Sequence, residues 1–165
     1  MRKRSFLLLF LTLFSACSTM QKPPLKPLHY QQNKQAHILQ KQNQITTKLY
    51  RAYKKWAGVN YCYGGEDLDG VDCSALVQQI YKEAFHIHIP RTTRDQLKTG
   101  ISVTKKDLKE GDLLFFKIAS KGLHTGIYLQ NGNFIHASSK YGVRISNLDN
   151  PYWKAHYYQA KRLLF

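Results

Sequence analysis

Cys73, His124 and His136 are the residues of this sequence whose types and spacing could carry out acyl transfer. A thiolate attacks a carbonyl carbon, an imidazole beside it first takes the thiol proton, and the same imidazole later protonates the leaving amine. A further polar group serves to hold that imidazole in one tautomer and one orientation. A cysteine alone is weak ground, because a free thiol is also a common small core residue. The neighbours of Cys73 strengthen it. Asp72 is a good helix N-cap, and Leu76, Val77, Ile80, Tyr81 and Ala84 follow at helical spacing. Cys73 is thereby expected in the first turn, where unpaired N–H groups and partial positive charge lower a thiol's pKa and favour the thiolate.

Strands must bring the two histidines to that helix. Residues 111–116 read as a buried strand, and residues 123–129 and 134–138 as antiparallel strands joined at Asn131-Gly132, with one histidine on each. Their parity depends on the loop. A two-residue turn would pair His124 with Ser139 and leave His136 on the opposite face. A three-residue loop, Gln130-Asn131-Gly132, pairs Leu129 with Asn133 and His124 with Ser138, which puts His136 diagonally across on the same face. The expected form is therefore the three-residue loop, a type I turn with Gly132 left-handed in a bulge. Both histidines should then face Cys73, under a helix that Gly126 makes room for, with Ile127 and Ile135 turned into the other layer. Farther upstream, Leu49, Ala52, Tyr53 and Trp56 lie near one face at helical spacing and read as core.

At the amino-terminal end, Arg2, Lys3 and Arg4 precede an apolar run at residues 6–14. The run is far shorter than the roughly 20 residues that span a bilayer, so it reads as a secretory leader. Leu13-Phe14-Ser15-Ala16-Cys17 resembles the bacterial lipobox, although Phe14 stands where leucine is commoner. That resemblance implies cleavage before Cys17, lipid on Cys17 and a membrane anchor. By resemblance to the sorting rules of two-membrane bacteria, Ser18 in place of aspartate implies the periplasm-facing outer membrane. Residues 1–16 are thus read as the leader, 17–45 as a lipidated tether and 46–165 as the folded domain. Pro23, Pro24 and Pro27 and the Gln-rich, Lys-rich stretch after them show little apolar periodicity. As coil this tether would have a root-mean-square span of roughly 30 Å; its later part is compatible with a helix. Removing the leader from 165 residues leaves 149, enough for one core and one site, and the chain is expected to act as a monomer. The formal charge is +15, or +12 without the three basic leader residues. An exported lipoprotein does not normally meet nucleic acid, so carboxylate-bearing wall peptides and anionic membrane surfaces are the expected counterparts.

From Trp56 to Phe165 the chain carries Tyr61-Cys62-Tyr63-Gly64-Gly65, Gly70-Val71-Asp72-Cys73-Ser74, Pro90-Arg91-Thr92-Thr93, Gly111-Asp112-Leu113, His124-Thr125-Gly126-Ile127-Tyr128, Phe134-Ile135-His136-Ala137-Ser138 and Leu148-Asp149-Asn150-Pro151-Tyr152-Trp153. In this order and spacing these segments resemble the NlpC family of cell-wall cysteine peptidases. The resemblance implies an α+β, papain-like fold in which the nucleophile helix packs on a small antiparallel sheet. It implies Cys73 as nucleophile, His124 as base, His136 as the group orienting it and Tyr61 near the oxyanion site. It also implies peptidoglycan stem peptides as substrate. The usual bond of the family joins γ-D-glutamyl to a diamino acid, and some lipoprotein members cut the crosslink from the diamino acid to D-alanine. Ala75 stands where the family usually has glycine, and Thr125 where it usually has valine. Two other functions fit the same scaffold: an acyl transferase that passes the acyl group to an amine, and a catalytically silent wall-binding lipoprotein.

The remaining polar residues divide between site and scaffold. Arg91 is expected either to bind a substrate carboxylate bidentately or to make a structural contact. Glu66, Asp67 and Asp69 form an acidic loop that could receive an ammonium group, or be simply solvated. His86 and His88 alternate with Ile87 and Ile89 on an extended segment without a third ligand at diagnostic spacing, so no metal is expected there. No cofactor motif is present either. Cys62, a possible disulfide partner for Cys73 in an oxidising compartment, is expected as a packed strand residue. The anchor has a direct test: Cys17→Ser should release soluble protein or trap the uncleaved precursor. A mature Cys17→Ser protein that still fractionates with the outer membrane would rule the lipobox reading out.

Overall fold

The computed structural model describes residues 28–119 and 122–164, with side chains from Gln32 onward. The expected leader, the expected acylation site Cys17 and the first part of the expected tether lie outside the described residues. Helix α1 runs from Leu28 to Trp56. It contains no Gly or Pro and is rich in Gln and Lys, which favour helix. Residues 28–45, assigned to the tether from sequence, are therefore part of a rod, about 27 Å long at 1.5 Å per residue. The far end of α1 joins the core, where Leu49, Ala52 and Trp56 are buried.

Helix α2 (Cys73–Phe85) follows a loop, and the short α3 (Thr93–Gln96) comes next. Strands β1 (Ile101–Val103), β2 (Leu113–Ile118), β3 (Gly122–Tyr128), β4 (Asn133–Ser138), β5 (Gly142–Asn147) and β6 (Tyr157–Arg162) form one antiparallel sheet in the order β1-β6-β2-β3-β4-β5. Helix α4 (Pro151–His156) precedes β6. Helix α2 ends at His86, whose backbone is left-handed with φ 57° and whose N–H caps the helix. His86 is thus a helix cap, not part of an extended segment shared with His88.

The sheet has two apolar faces. Leu113, Phe115, Ile127, Ile135 and Ala137 pack in one cluster with Val77, Ile80 and Tyr81 of α2 and Leu49 and Trp56 of α1. Leu114, Phe116, Phe134 and Ala160 pack on the other side, with Leu148 and Trp153. The alternation of side chains along each strand makes the division. It also corrects the expected facing, because the body of α2 covers Ile127 and Ile135 and the histidines leave the sheet on the opposite side. The apolar stripe of α2 needs a wholly apolar partner, and the face bearing two imidazoles does not supply one.

The β3–β4 hairpin keeps the expected register, Ile127 opposite Ile135 and Tyr128 opposite Phe134. Its turn is built differently. Asn131 and Gly132 both have positive φ, 54° and 78°, as a type I′ turn requires, and Asn133 N–H donates to Gln130 O. Leu129 N–H donates to Asn133 O, so Leu129 and Gln130 together oppose one residue. The extra residue is thus a bulge at the end of β3, next to a two-residue turn, and the bulge preserves the parity. Gly126 lies against the neighbouring strand: a Cβ there would lie 2.6 Å from the Ile135 carbonyl oxygen. Gly126→Ala is expected to destabilise the protein by about 1–3 kcal/mol through this overlap with backbone, measured by urea unfolding. An unchanged midpoint would show that the hairpin gives way freely.

Candidate active site

One carboxylate organises the start of α2. Asp72 has extended backbone at the N-cap, and its Oδ1 accepts the Ala75 N–H at 2.8 Å. The same oxygen accepts the Ser74 hydroxyl at 3.0 Å, and Oδ2 accepts the Gly64 N–H at 3.2 Å. Arg91 approaches both oxygens, Nη1 to Oδ1 at 3.0 Å and Nη2 to Oδ2 at 2.8 Å, and sends Nε to Glu66 at 2.7 Å. Burial pushes the Asp72 carboxyl up, but Arg91, the Ala75 N–H and Ser74 outweigh it and hold the group below the usual carboxylate range. Arg91 is therefore a structural clamp and not the substrate-binding residue of the alternative reading: its fork is already filled by a matching carboxylate. Glu66 is engaged in the same clamp, and Asp67 accepts the Asp69 N–H within its own loop at 3.0 Å.

The clamp sets Cys73 in the first turn of α2, 8% exposed. Its sulfur lies 3.7 Å from the Thr93 hydroxyl, and the Thr125 and Ser74 N–H groups also point at it. Burial pushes the thiol up by more than these donors pull it down. A helix start alone therefore does not make this thiol acidic, contrary to expectation. Cys62, expected as a packed strand residue, is exposed, and both it and Cys73 are free thiols.

Paired strand contact between β3 and β4 ends at Ile127 and Ile135. The Thr125 N–H, one step farther along, meets the Cys73 sulfur instead of β4. Cys73, His124 and His136 line one cavity of about 480 Å³. His124 Nε2 is 3.1 Å from His136 Nδ1, and His136 Nε2 is 2.9 Å from the Ser146 hydroxyl. Burial, then the charges of His124 and Arg144, push His136 well below its ordinary pKa. A neutral His136 that donates from Nε2 to Ser146 keeps Nδ1 as an acceptor. It can therefore hold His124 with a proton on Nε2, which leaves His124 Nδ1 for the thiol.

Trp153 packs on the pair, stacked on His124 with ring centroids 5.5 Å apart and edge-on to His136 at 4.7 Å. Its helix is started by Asn150, which caps the Tyr152 N–H at 3.0 Å, and by Pro151 in the first turn. Tyr61 also lines the cavity, and its hydroxyl is pushed up by burial and by the Cys73 sulfur beside it. Sequence reasoning found the thiol, the two imidazoles and Tyr61, but assigned nothing to Thr93, Ser146 or Trp153. The Ser146 position follows from register, since it pairs with Phe134 and so stands diagonally from His136. No group of three or more His, Cys, Asp or Glu suited to a metal occurs among the described residues.

The profile of the NlpC/P60 family matches residues 58–162. The murein DD-endopeptidase MepS/murein LD-carboxypeptidase of Escherichia coli is 42% identical over 120 residues; these are 73% of this chain and 64% of that protein, so less than two thirds of the relative is spanned. A probable endopeptidase of Haemophilus influenzae is 37% identical over 163 residues, 97% of this chain and 98% of the relative. The crystal structure of an NlpC/P60 family protein from Bacillus cereus superposes with a TM-score of 0.65 at 34% identity, covering 71% of this chain and 39% of that one. The fold is accordingly the α+β, papain-like arrangement.

A depressed His136 pKa has a consequence for stability. Folded His136 stays neutral while the unfolded residue takes a proton below about pH 6.5, so the unfolded state binds more protons and stability declines as pH falls from there toward the folded pKa. The loss approaches about 1.4 kcal/mol per pH unit within that window. Urea unfolding at pH 7.5 and pH 5 should show a shallower decline in His136→Asn than in the native protein. Equal declines would mean that His136 protonates freely in the fold.

Proposed function

This chain belongs to the NlpC/P60 family, and from that premise we propose that it is a cysteine peptidase that hydrolyses amide bonds of peptidoglycan stem peptides. The observation that carries the proposal is the line of contacts Ser146–His136–His124 ending in the cavity that holds Cys73. In the proposed cycle His124 takes the proton from Cys73 Sγ, and the thiolate attacks the scissile carbonyl. The oxyanion forms near the first-turn N–H groups of α2 and the Tyr61 hydroxyl. His124 then gives its proton to the leaving amine, and a water activated by the same imidazole hydrolyses the thioester, returning the proton to the sulfur. Throughout, His136 accepts from His124 Nε2–H and supports the imidazolium, and Trp153 limits rotation of the ring.

The bond proposed is the crosslink between the diamino acid and D-alanine, a reading supported by the DD-endopeptidase name of MepS. The γ-D-glutamyl bond to the diamino acid is the second reading, supported by the family resemblance. The proposal includes export, lipid attachment at Cys17 and a place on the periplasmic side of the outer membrane; its support is the sequence at residues 2–18.

Digestion of defined wall fragments, with product masses read, tests the reaction and identifies the bond together. Cys73→Ala and His124→Ala should each lower turnover by roughly 10³-fold or more, because each removes half of one proton-transfer unit. His136→Asn keeps an acceptor for His124 and should retain clearly more activity than His136→Ala, whose loss is on the order of 10²-fold from misplacement of the base. Substantial hydrolysis by purified Cys73→Ala protein would end the cysteine-peptidase reading.

A further inference from the structure

The cavity around Cys73 and His136 is electrostatically one-sided. No Asp or Glu is among the described residues that line it, whereas Lys140 and Arg144 both stand on its wall. Register puts Arg144 there. It pairs with His136 across β4 and β5, so the two side chains leave the sheet on the same face. The guanidinium lies over the Tyr141 ring, 5.0 Å from its centroid, and Lys140 Nζ is 5.1 Å from the same ring.

Arg144 has no carboxylate partner among the described residues. Arg91 and Arg162 differ in this respect, since Asp72 fills the fork of one and Asp112 that of the other at 2.7 and 2.8 Å. A guanidinium rested on an aromatic face keeps its planar fork oriented, and an open fork matches a carboxylate with two parallel hydrogen bonds. Its exposure keeps it reachable from solvent, while its side of the sheet is that of the histidines. The acidic residues nearest the helix start lie elsewhere, in the loop closed by Arg91, so an anionic ligand meets no opposing carboxylate at the cavity wall.

We propose that Arg144, with Lys140 beside it, binds a free carboxylate of the peptide being cut and so selects carboxylate-bearing fragments over their amidated forms. This rests on the peptidase reading above and deepens it, moving recognition of the substrate's charge from Arg91 to Arg144 on the cavity wall. Arg144 is a specificity-determining residue in this view, because it touches the substrate and takes no part in proton transfer.

The test is steady-state kinetics of the purified full chain on two synthetic stem-peptide fragments that differ only in whether the carboxylate beside the cleaved amide is free or a primary amide. The native protein should prefer the free carboxylate by about tenfold in kcat/KM, chiefly through KM. Arg144→Gln should bring that ratio close to one, and Arg144→Lys, which keeps the charge without the fork, should restore part of it. Equal kcat/KM for the two fragments with the native protein would overturn the proposal, as would a ratio that survives in Arg144→Gln. Failure of the native protein to cut either fragment would instead remove the peptidase reading, and this inference with it. Circular dichroism of both variants separates lost selection from lost fold, and the Arg144→Lys ratio stands as the measurement should Arg144→Gln not fold.

Discussion

The buried carboxylate of Asp72 is the constraint on which the rest of the site depends. A charge taken out of water must be met by donors, and Asp72 is met by the Arg91 fork, the Ala75 and Gly64 N–H groups and the Ser74 hydroxyl. The donors come from three pieces of chain: Ser74 and Ala75 from α2, Gly64 from the loop before it and Arg91 from the segment after it. Helix α2, the glycine loop before it and the segment after it are therefore fastened at one point, and Glu66 adds the acidic loop through Arg91. Gln96 completes the fastening from inside, donating to Ser74 O and Pro90 O at 2.9 Å each. Cys73 is the next residue after this point, so its position is inherited from it.

The second determinant is the way β3 and β4 part. Their ladder holds at Ile127 and Tyr128, and Gly126 allows the Ile135 carbonyl to approach closely. Beyond that the Thr125 N–H is left to the Cys73 sulfur. A helix that packs its apolar stripe on one face of the sheet thus delivers its first side chain to imidazoles held on the other. Only the terminal residue of the helix can do this, because every later turn is covered by the apolar face it packs against.

Electrostatics in the cavity explain why the thiol needs its partner. Burial raises the cost of a lone thiolate more than the hydrogen bonds from Thr125, Thr93 and Ser74 lower it, so the proposed cycle keeps that charge beside an imidazolium. His136 cannot share that positive charge, since burial and the cation at Arg144 keep it neutral. In the proposed cycle its role is that of an oriented acceptor, with Ser146 in place to accept from its other nitrogen. The protonation roles of the two histidines are therefore set apart by environment, although the side chains are chemically identical.

By itself the sequence determined the local elements and the chemical cast. The helical run after Asp72, the apolar face of Leu49, Ala52 and Trp56, the buried strand read at residues 111–116 and found at Leu113–Ile118, and the order of Cys73, His124 and His136 were all legible from spacing and residue type. The hairpin register was legible too, because only one parity puts both histidines on one face. What the tertiary structure decided were the matters of partnership. The bulge at Leu129-Gln130 replaces the expected turn, since several backbone paths give the same register. Arg91 closes on Asp72, while Arg144 stays open to the cavity; nothing in an arginine's own neighbourhood in sequence says which carboxylate its long side chain will reach. Ser146 and Trp153 reach the histidines from strands and helices far along the chain, and Cys73 meets a net rise in its pKa because burial is a property of the packed molecule. Periodicity and capping act over a few residues and can be read along the chain, whereas desolvation and ion pairing act through space and exist only once the layers have closed.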